Sequence, residues 1–246
     1  MGFALIWEFV SRANILDSEF FPPISKVLQQ LVIELGKPVF WEAVRHTMTS
    51  WLIGLLIACV AGTVLGIAIG MSNFLLRFTR STIEFLRPIP SVALIPLAVL
   101  LFGARMPSTL MLIVYACFWQ VLIQVLYGVV DVDKVATDTA RTYGLGRFAR
   151  VRYVIWPTTL PYLMTGLRLA ATIALVLGIT SELVIGAPGL GKSIAMAQSG
   201  GATTLAYALA VATGFIGVLI NVMMRLAEKR VLPWHSSVRA DVEVVA

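Results

Sequence analysis

Charge is scarce in this sequence. Asp, Glu, Lys and Arg make up 13% of its 246 residues, where a soluble domain carries about 25%. Apolar residues make up 59%, and the mean hydropathy is +0.89. No single soluble core hides that much apolar surface, so the excess faces lipid and a soluble globular enzyme is excluded. Histidine and cysteine are nearly missing, with two of each. His46 and His235 are far apart in the chain, and no His, Cys, Asp and Glu group has metal-ligand spacing. No Ser-His-Asp arrangement is identifiable either, which argues against a membrane-embedded enzyme. Cys59 and Cys117 each sit inside an apolar run and read as small buried hydrophobes, not as a disulfide pair. Met1 to Val10 contains Glu8 and lacks both a basic n-region and a small-residue cleavage site, so a cleaved signal peptide is not expected. Tandem repeats, low-complexity tracts and interdomain linkers are also missing, and one domain over 1–246 is expected.

What the sequence has is long apolar runs. A bilayer core about 30 Å thick needs roughly 20 helical residues to cross. Charge-free runs cover 47–76, 88–104, 106–130 and 193–224. The stretch 160–185 is apolar apart from Arg168 and Glu182. The expected fold class is therefore all-α, a polytopic transmembrane helical bundle with five spans. The apolar run Gly2 to Val10 is too short to cross alone and is either a truncated first span or an interfacial segment.

The net charge of +6 does not point to nucleic acid, because the basic residues lie between the apolar runs. Lys and Arg resist translocation and collect on the cytoplasmic side. The richest stretches are 131–152, with Lys134, Arg141, Arg147, Arg150 and Arg152, the tail with Arg225, Lys229, Arg230 and Arg239, and the 72–87 linker with Arg77, Arg80 and Arg87. Two spans separate each neighbouring pair, so all three can share the cytoplasmic face, and the C-terminus lies with them. Arg105 and Lys192 stand alone in the intervening connections. Residues 20–44 fall outside, with a turn at Phe21-Pro22-Pro23.

Small residues mark where the spans meet. Gly54, Ala58, Gly62, Gly66 and Gly70 recur at every fourth position, as do Gly166, Ala170, Ala174 and Gly178. Such faces let helix backbones approach closely in lipid, either within the chain or at a subunit interface. Pro88, Pro90 and Pro96 interrupt the second run. Proline frees carbonyls that must find partners away from lipid, so this helix is either simply kinked or lines a pathway. Glu182 is the one acidic residue deep in a span region, and such residues face a cavity, a partner or the interface. Pro88, Pro90, Pro96 and Glu182 are the candidates for the translocation pathway.

The cytoplasmic segment 131–157 has a different character. Val132, Val135, Ala136, Thr139, Ala140 and Tyr143 follow helical spacing, opposite Asp133, Lys134, Asp138 and Arg141. Gly144 is the expected C-cap. A second short segment, Arg147 to Ile155, is expected to close at Trp156-Pro157. A rigid helix pair of this kind either docks in a groove on a soluble partner or packs on the bundle's own end.

Asp138-Thr139-Ala140, then Gly144, then Val154, Trp156 and Pro157 resembles the EAA motif of ABC importer permeases in order and spacing. Ala140, Gly144 and Pro157 match it outright. Asp138, Thr139, Val154 and Trp156 stand where the motif has Glu, Ala, Ile and Leu. Other stretches resemble the aliphatic sulfonate, taurine and nitrate permease branch of the same family. They are Phe21 to Ser25, Leu86 to Leu97, Thr165 to Ala170, and Gly189-Leu190-Gly191 after Ser181-Glu182. The resemblance implies a type I ABC importer permease in a bacterial inner membrane. It would carry a small solute such as an organic or oxo-anion, and would not itself be catalytic. Implied partners are two cytoplasmic ATPase subunits, a second permease subunit that is another copy of this chain, and an extracytoplasmic substrate-binding protein. ATP and Mg would be used by the ATPases, with no cofactor or metal bound by this chain. By the same resemblance Asp138, Ala140, Arg141, Tyr143, Gly144 and Leu145 form the docking element, the coupling helix.

One motif points elsewhere. Gly186 to Ser193 fits the phosphate-loop pattern G-x-x-x-x-G-K-[ST] without a mismatch. A phosphate loop needs a preceding strand, whereas this one follows a lipid-facing helix on the outer side, so a glycine-rich turn is expected. An ATP-independent transporter or channel is the remaining alternative. It would call for several intramembrane ionisable residues and would leave 131–157 without a role.

Overall fold

The computed structural model describes residues 2–13 and 19–233. Every regular element among them is helical: α1 (Gly2–Arg12), α2 (Ile24–Leu35), α3 (Pro38–Gly70), α4 (Asn73–Leu86), α5 (Ile95–Phe102), α6 (Met106–Val130), α7 (Lys134–Thr142), α8 (Arg147–Arg150), α9 (Trp156–Ile185), α10 (Leu190–Ser199) and α11 (Thr203–Val231). Four helices are long and apolar enough to cross a membrane: Pro38–Gly70, Met106–Val130, Arg147–Ile185 and Thr203–Val231. A fifth crossing is available if Asn73–Leu86 and Ser91–Phe102, bent by 78°, form one broken span.

Three boundaries differ from the sequence expectation. The run 88–104 is not a span by itself. It is the second half of the bent pair, and the bend falls on Arg87-Pro88-Ile89-Pro90, where two residues lack a backbone N–H. Pro96 breaks nothing, because it sits in the first turn of α5, where a helix needs no N–H partner. The run 193–224 is split at Gly200-Gly201, so α10 is a separate short helix and the crossing begins at Thr203. Residues 147–155 do not close at Trp156-Pro157 either. They pass through a π turn, Val151–Ile155, directly into α9. The wider turn, in which the Trp156 N–H reaches the Val151 carbonyl, eases the clash a proline ring makes with the turn before it.

The described residues form two compact units. One draws on Met1–Leu52, Leu94–Leu112 and Leu175–Leu219, the other on Ile53–Ala93, Ile113–Ala174 and Ile220–Ala246. In the first, Val27, Leu31, Phe40 and Ala43 of α2 and α3 pack with Leu190 of α10 and Ala208, Leu209 and Ala212 of α11. The short α1 docks on this unit through hydrogen bonds from Trp7 Nε1 to the Pro22 carbonyl (3.0 Å) and from Ser11 Oγ to the Phe21 carbonyl (2.7 Å). Glu8 caps α2 by accepting from the Ser25 N–H (3.1 Å), which, with Arg12 beside it, holds its carboxyl below the usual range. Leu5, Ile6 and Phe9 stay exposed. At 11 residues and about 1.5 Å per residue, α1 is too short to cross.

In the second unit, Trp119, Leu122 and Leu126 of α6 pack with Ile69, Leu76, Ile83 and Leu86 of α3 and α4. Gly62, Gly66 and Gly70 of α3 face Val121, Val125 and Val129 of α6, so their close approach lies within the chain. A Cβ on Gly66 would stand 2.7 Å from Val125 Cγ1. Cys117 Sγ donates to the Ala170 carbonyl (3.2 Å). Both cysteines are free thiols, Cys117 buried and Cys59 only partly so. Arg168, the basic residue inside α9, pairs with Glu228 of α11 at 3.2 Å. Arg225, Lys229 and Arg230 lie on α11, while Arg239 and His235 fall outside the described residues.

Replacing Gly66 with Val will overpack the α3–α6 contact and cost about 1–3 kcal/mol. Thermal unfolding of the purified chain in detergent will show a lowered midpoint. An unchanged midpoint would mean that the two helices do not meet there.

Candidate functional site

Two places concentrate polar chemistry. The first is the segment from Asp131 to Pro157. Its helix α7 starts at Asp133, whose carboxylate accepts from the Val135 N–H at 2.8 Å. It ends in a Schellman turn: the Gly144 N–H reaches the Arg141 carbonyl (2.9 Å) and the Leu145 N–H the Ala140 carbonyl (3.0 Å). Gly144 has φ +75°, the left-handed geometry that favours glycine. With both ends capped, α7 is stiff despite its nine residues.

The segment is also held at its feet. Tyr162 of α9 donates its hydroxyl to Asp131 at 2.7 Å. A Cβ on Gly128, near the end of α6, would come within 2.9 Å of Thr159 Cα on α9. Between these feet little is covered. Ala140 is buried and Leu145 half-buried, whereas Val135 is 71%, Tyr143 80% and Phe148 82% exposed. Apart from Ala140, the apolar face expected from the spacing is therefore largely uncovered by the described residues. Asp138 and Arg141 pair with each other at 3.1 Å, both exposed, so that pair contributes little to stability. Gly144 faces open space.

The second place is Glu182 on α9, 0% exposed. Its Oε2 accepts from Thr47 Oγ1 (2.8 Å) and from the Gly191 N–H (3.1 Å), and Thr47 Oγ1 in turn accepts from the Leu190 N–H (2.9 Å). Thr47 comes from α3, so α3, α9 and the start of α10 are tied together. Oε1 has no partner among the described residues. Gly189 and Gly191 make the contact possible. A Cβ on Gly189 would overlap the Glu182 carboxylate, and one on Gly191 would lie 2.7 Å from Glu182 Cβ. This disposes of the phosphate-loop pattern. The loop follows a helix, its Leu190 and Gly191 N–H groups are already bonded, and a carboxylate fills the space beneath it.

Pro88 lines a cavity beside α4, and Pro90 lies in the bend. Pro96 belongs to the first turn of α5, and Glu182 is sealed in its own cluster. Thr47 carries no signal in the sequence, being one threonine at the start of an apolar run far from Glu182. The glycines after Glu182 were the visible half of this cluster.

The model of a known family, described as "Binding-protein-dependent transport system inner membrane component", matches residues 62–233. The chain is 30% identical to the taurine transport system permease protein TauC of Escherichia coli (strain K12), across 95% of this chain and 87% of that protein. It is 27% identical to the nitrate import permease protein NrtB of Leptolyngbya laminosa, across 79% and 70%. It is 26% identical to the putative aliphatic sulfonates transport permease protein SsuC of Bacillus subtilis (strain 168), across 94% and 84%. Among solved structures, a chain from inward-facing conformations of the MetNI methionine ABC transporter superposes with a TM-score of 0.65 at 17% identity, covering 80% of this chain and 98% of that one. That likeness shows the fold, the type I ABC importer permease bundle.

Changing Thr47 to Val will strand the Leu190 N–H and remove a donor from Glu182, costing about 1–3 kcal/mol. Thr47→Ser will restore most of the loss in a thermal unfolding assay. Equal melting of Thr47→Val and wild type would remove the cluster from any structural role.

Proposed function

We propose that this chain, which belongs to the family of binding-protein-dependent transport system inner membrane components and is the permease subunit of an ABC importer, meets its motor through residues 131–157. The observation that carries this is the exposure of Val135, Tyr143 and Phe148 on a doubly capped, doubly anchored helix pair. An apolar face left uncovered by the described residues is suited to a groove on a soluble partner. The partner is a cytoplasmic ATPase, two copies per transporter, that uses ATP and Mg. The permease itself does not catalyse hydrolysis.

Tyr143 and Phe148 insert as anchors, while Asp138 and Arg141 form the polar rim. Ala140 and Leu145 hold α7 against the segment behind it, and Gly144 sets the turn. Clamping at Asp131–Tyr162 and Gly128–Thr159 means that a push on α7 moves α6 and α9 instead of bending the loop. Two bundle arrangements selected by that push would give alternating access. A second copy of the chain completes the pore, and an extracytoplasmic binding protein delivers the cargo. The orientation follows from the basic residues, with 131–157 and the C-terminus on the cytoplasmic side of a bacterial inner membrane. Likeness to taurine, nitrate and sulfonate permeases supports a small organic or oxo-anion as cargo.

Phe148→Ala and Tyr143→Ala leave the fold intact because both side chains are exposed. Each will lower the ATPase copurifying with the chain at least about tenfold. Gly144→Leu will do the same by straining a left-handed residue at a cost of roughly 1–2 kcal/mol. Full ATPase recovery with all three variants would refute docking at this segment.

A further inference from the structure

α10 has no N-cap side chain of its own. The residue before it is Gly189, which offers nothing to the first N–H groups of the helix. Two other helices supply the missing acceptors. Thr47 Oγ1 of α3 takes the Leu190 N–H (2.9 Å), and Glu182 Oε2 of α9 takes the Gly191 N–H (3.1 Å). The Thr47 hydroxyl donates to the same carboxylate oxygen (2.8 Å). The fit is close, since Gly189 and Gly191 leave no room for a Cβ against Glu182.

Beyond that cap, α10 is held by one face. Leu190 and Ala197 are buried and Ile194 is half-buried, whereas Lys192, Met196 and Ser199 on the opposite face are exposed. The chain enters through Gly186 (φ +77°) and leaves through Gly201 (φ +70°), and a Cβ at either would meet nothing within 4 Å. Both connections turn on glycine torsions with open space around them, so they can change without displacing a neighbour. The helix is pinned at its N-terminus and hinged on both sides.

We propose that α10 is a hinged flap seated by the Glu182–Thr47 cap, and that breaking this cap frees the flap while the membrane crossings stay folded. Glu182 suits a latch because it meets its donors on one oxygen only. Its Oε1 has no partner among the described residues, so this fully buried carboxylate is held by fewer bonds than its burial calls for. The basic residues orient the crossings so that the flap lies on the outer side, where cargo is delivered. That placement rests on the importer reading, whereas the latch does not.

The test uses the full chain purified in detergent with its copurifying subunits, with Cys59 replaced by Ala, Cys117 kept and Ala197→Cys added. N-ethylmaleimide is the probe, and peptide mass spectrometry reads the two thiols separately. The thiol at position 197 reports the seated face of α10. Cys117, 0% exposed in α6, reports loss of the bundle. With the latch intact both label slowly. Thr47→Val is expected to speed labelling at 197 at least about tenfold and to leave Cys117 unchanged, and Thr47→Ser is expected to return 197 to the slow rate. Glu182→Ala is expected to match Thr47→Val, which nearly keeps the side-chain volume and serves alone if Glu182→Ala does not assemble. Slow labelling at 197 in the latch variants would overturn the proposal, because α10 then stays seated without its cap. Cys117 rising in step with 197 would also overturn it, because the cap then holds the whole bundle. The ATPase content of the preparation is scored separately: the expected labelling without ATPase would fault the importer assignment and leave the flap standing.

Discussion

A backbone in hydrocarbon must satisfy its own N–H and C=O groups, and three departures from helix among the described residues are matched to replacement partners. At the bend after α4, the Leu86 carbonyl receives the Tyr115 hydroxyl at 2.6 Å. At the turn before α10, the Leu190 and Gly191 N–H groups go to Thr47 and Glu182. At Gly103, which ends α5, the carbonyl takes the Ser108 hydroxyl. Tyr115, Ser108, Thr47 and Glu182 are accounted for by this need. That is why Glu182, the most conspicuous of them, is sealed inside a cluster.

The same constraint separates the parts of the chain that hold from the parts that act. Gly62, Gly66 and Gly70 let α3 approach α6 to glycine distance, and that contact holds. Elsewhere, uncovered groups mark what the described residues do not supply. The aromatics of 131–157, uncovered among the described residues, lack an apolar groove, which the docking proposed for this permease subunit would supply.

Much of this was legible in the sequence, and the reasons differ by element. Run length and charge position exposed the crossings, because helix length and the cost of moving Lys and Arg are both local quantities. The glycine series at 62, 66 and 70 announced a close contact but not its partner, since Val121, Val125 and Val129 are ordinary residues in an apolar run. The π turn at Val151–Ile155 hid behind Pro157, which reads as a stop when a straight α-helix is assumed. Thr47 was invisible because its partner is distant in the chain.

The central claim is that 131–157 is a stiff cytoplasmic lever covered only by the motor. The most direct measurement places Phe148→Cys in a chain whose two native cysteines are replaced by Ala, and labels it with a membrane-impermeant maleimide in inside-out vesicles. The account predicts fast labelling when the ATPase subunits are stripped away and strong protection when they are restored. Labelling from the external side only, or equal labelling with and without the ATPase, would contradict it.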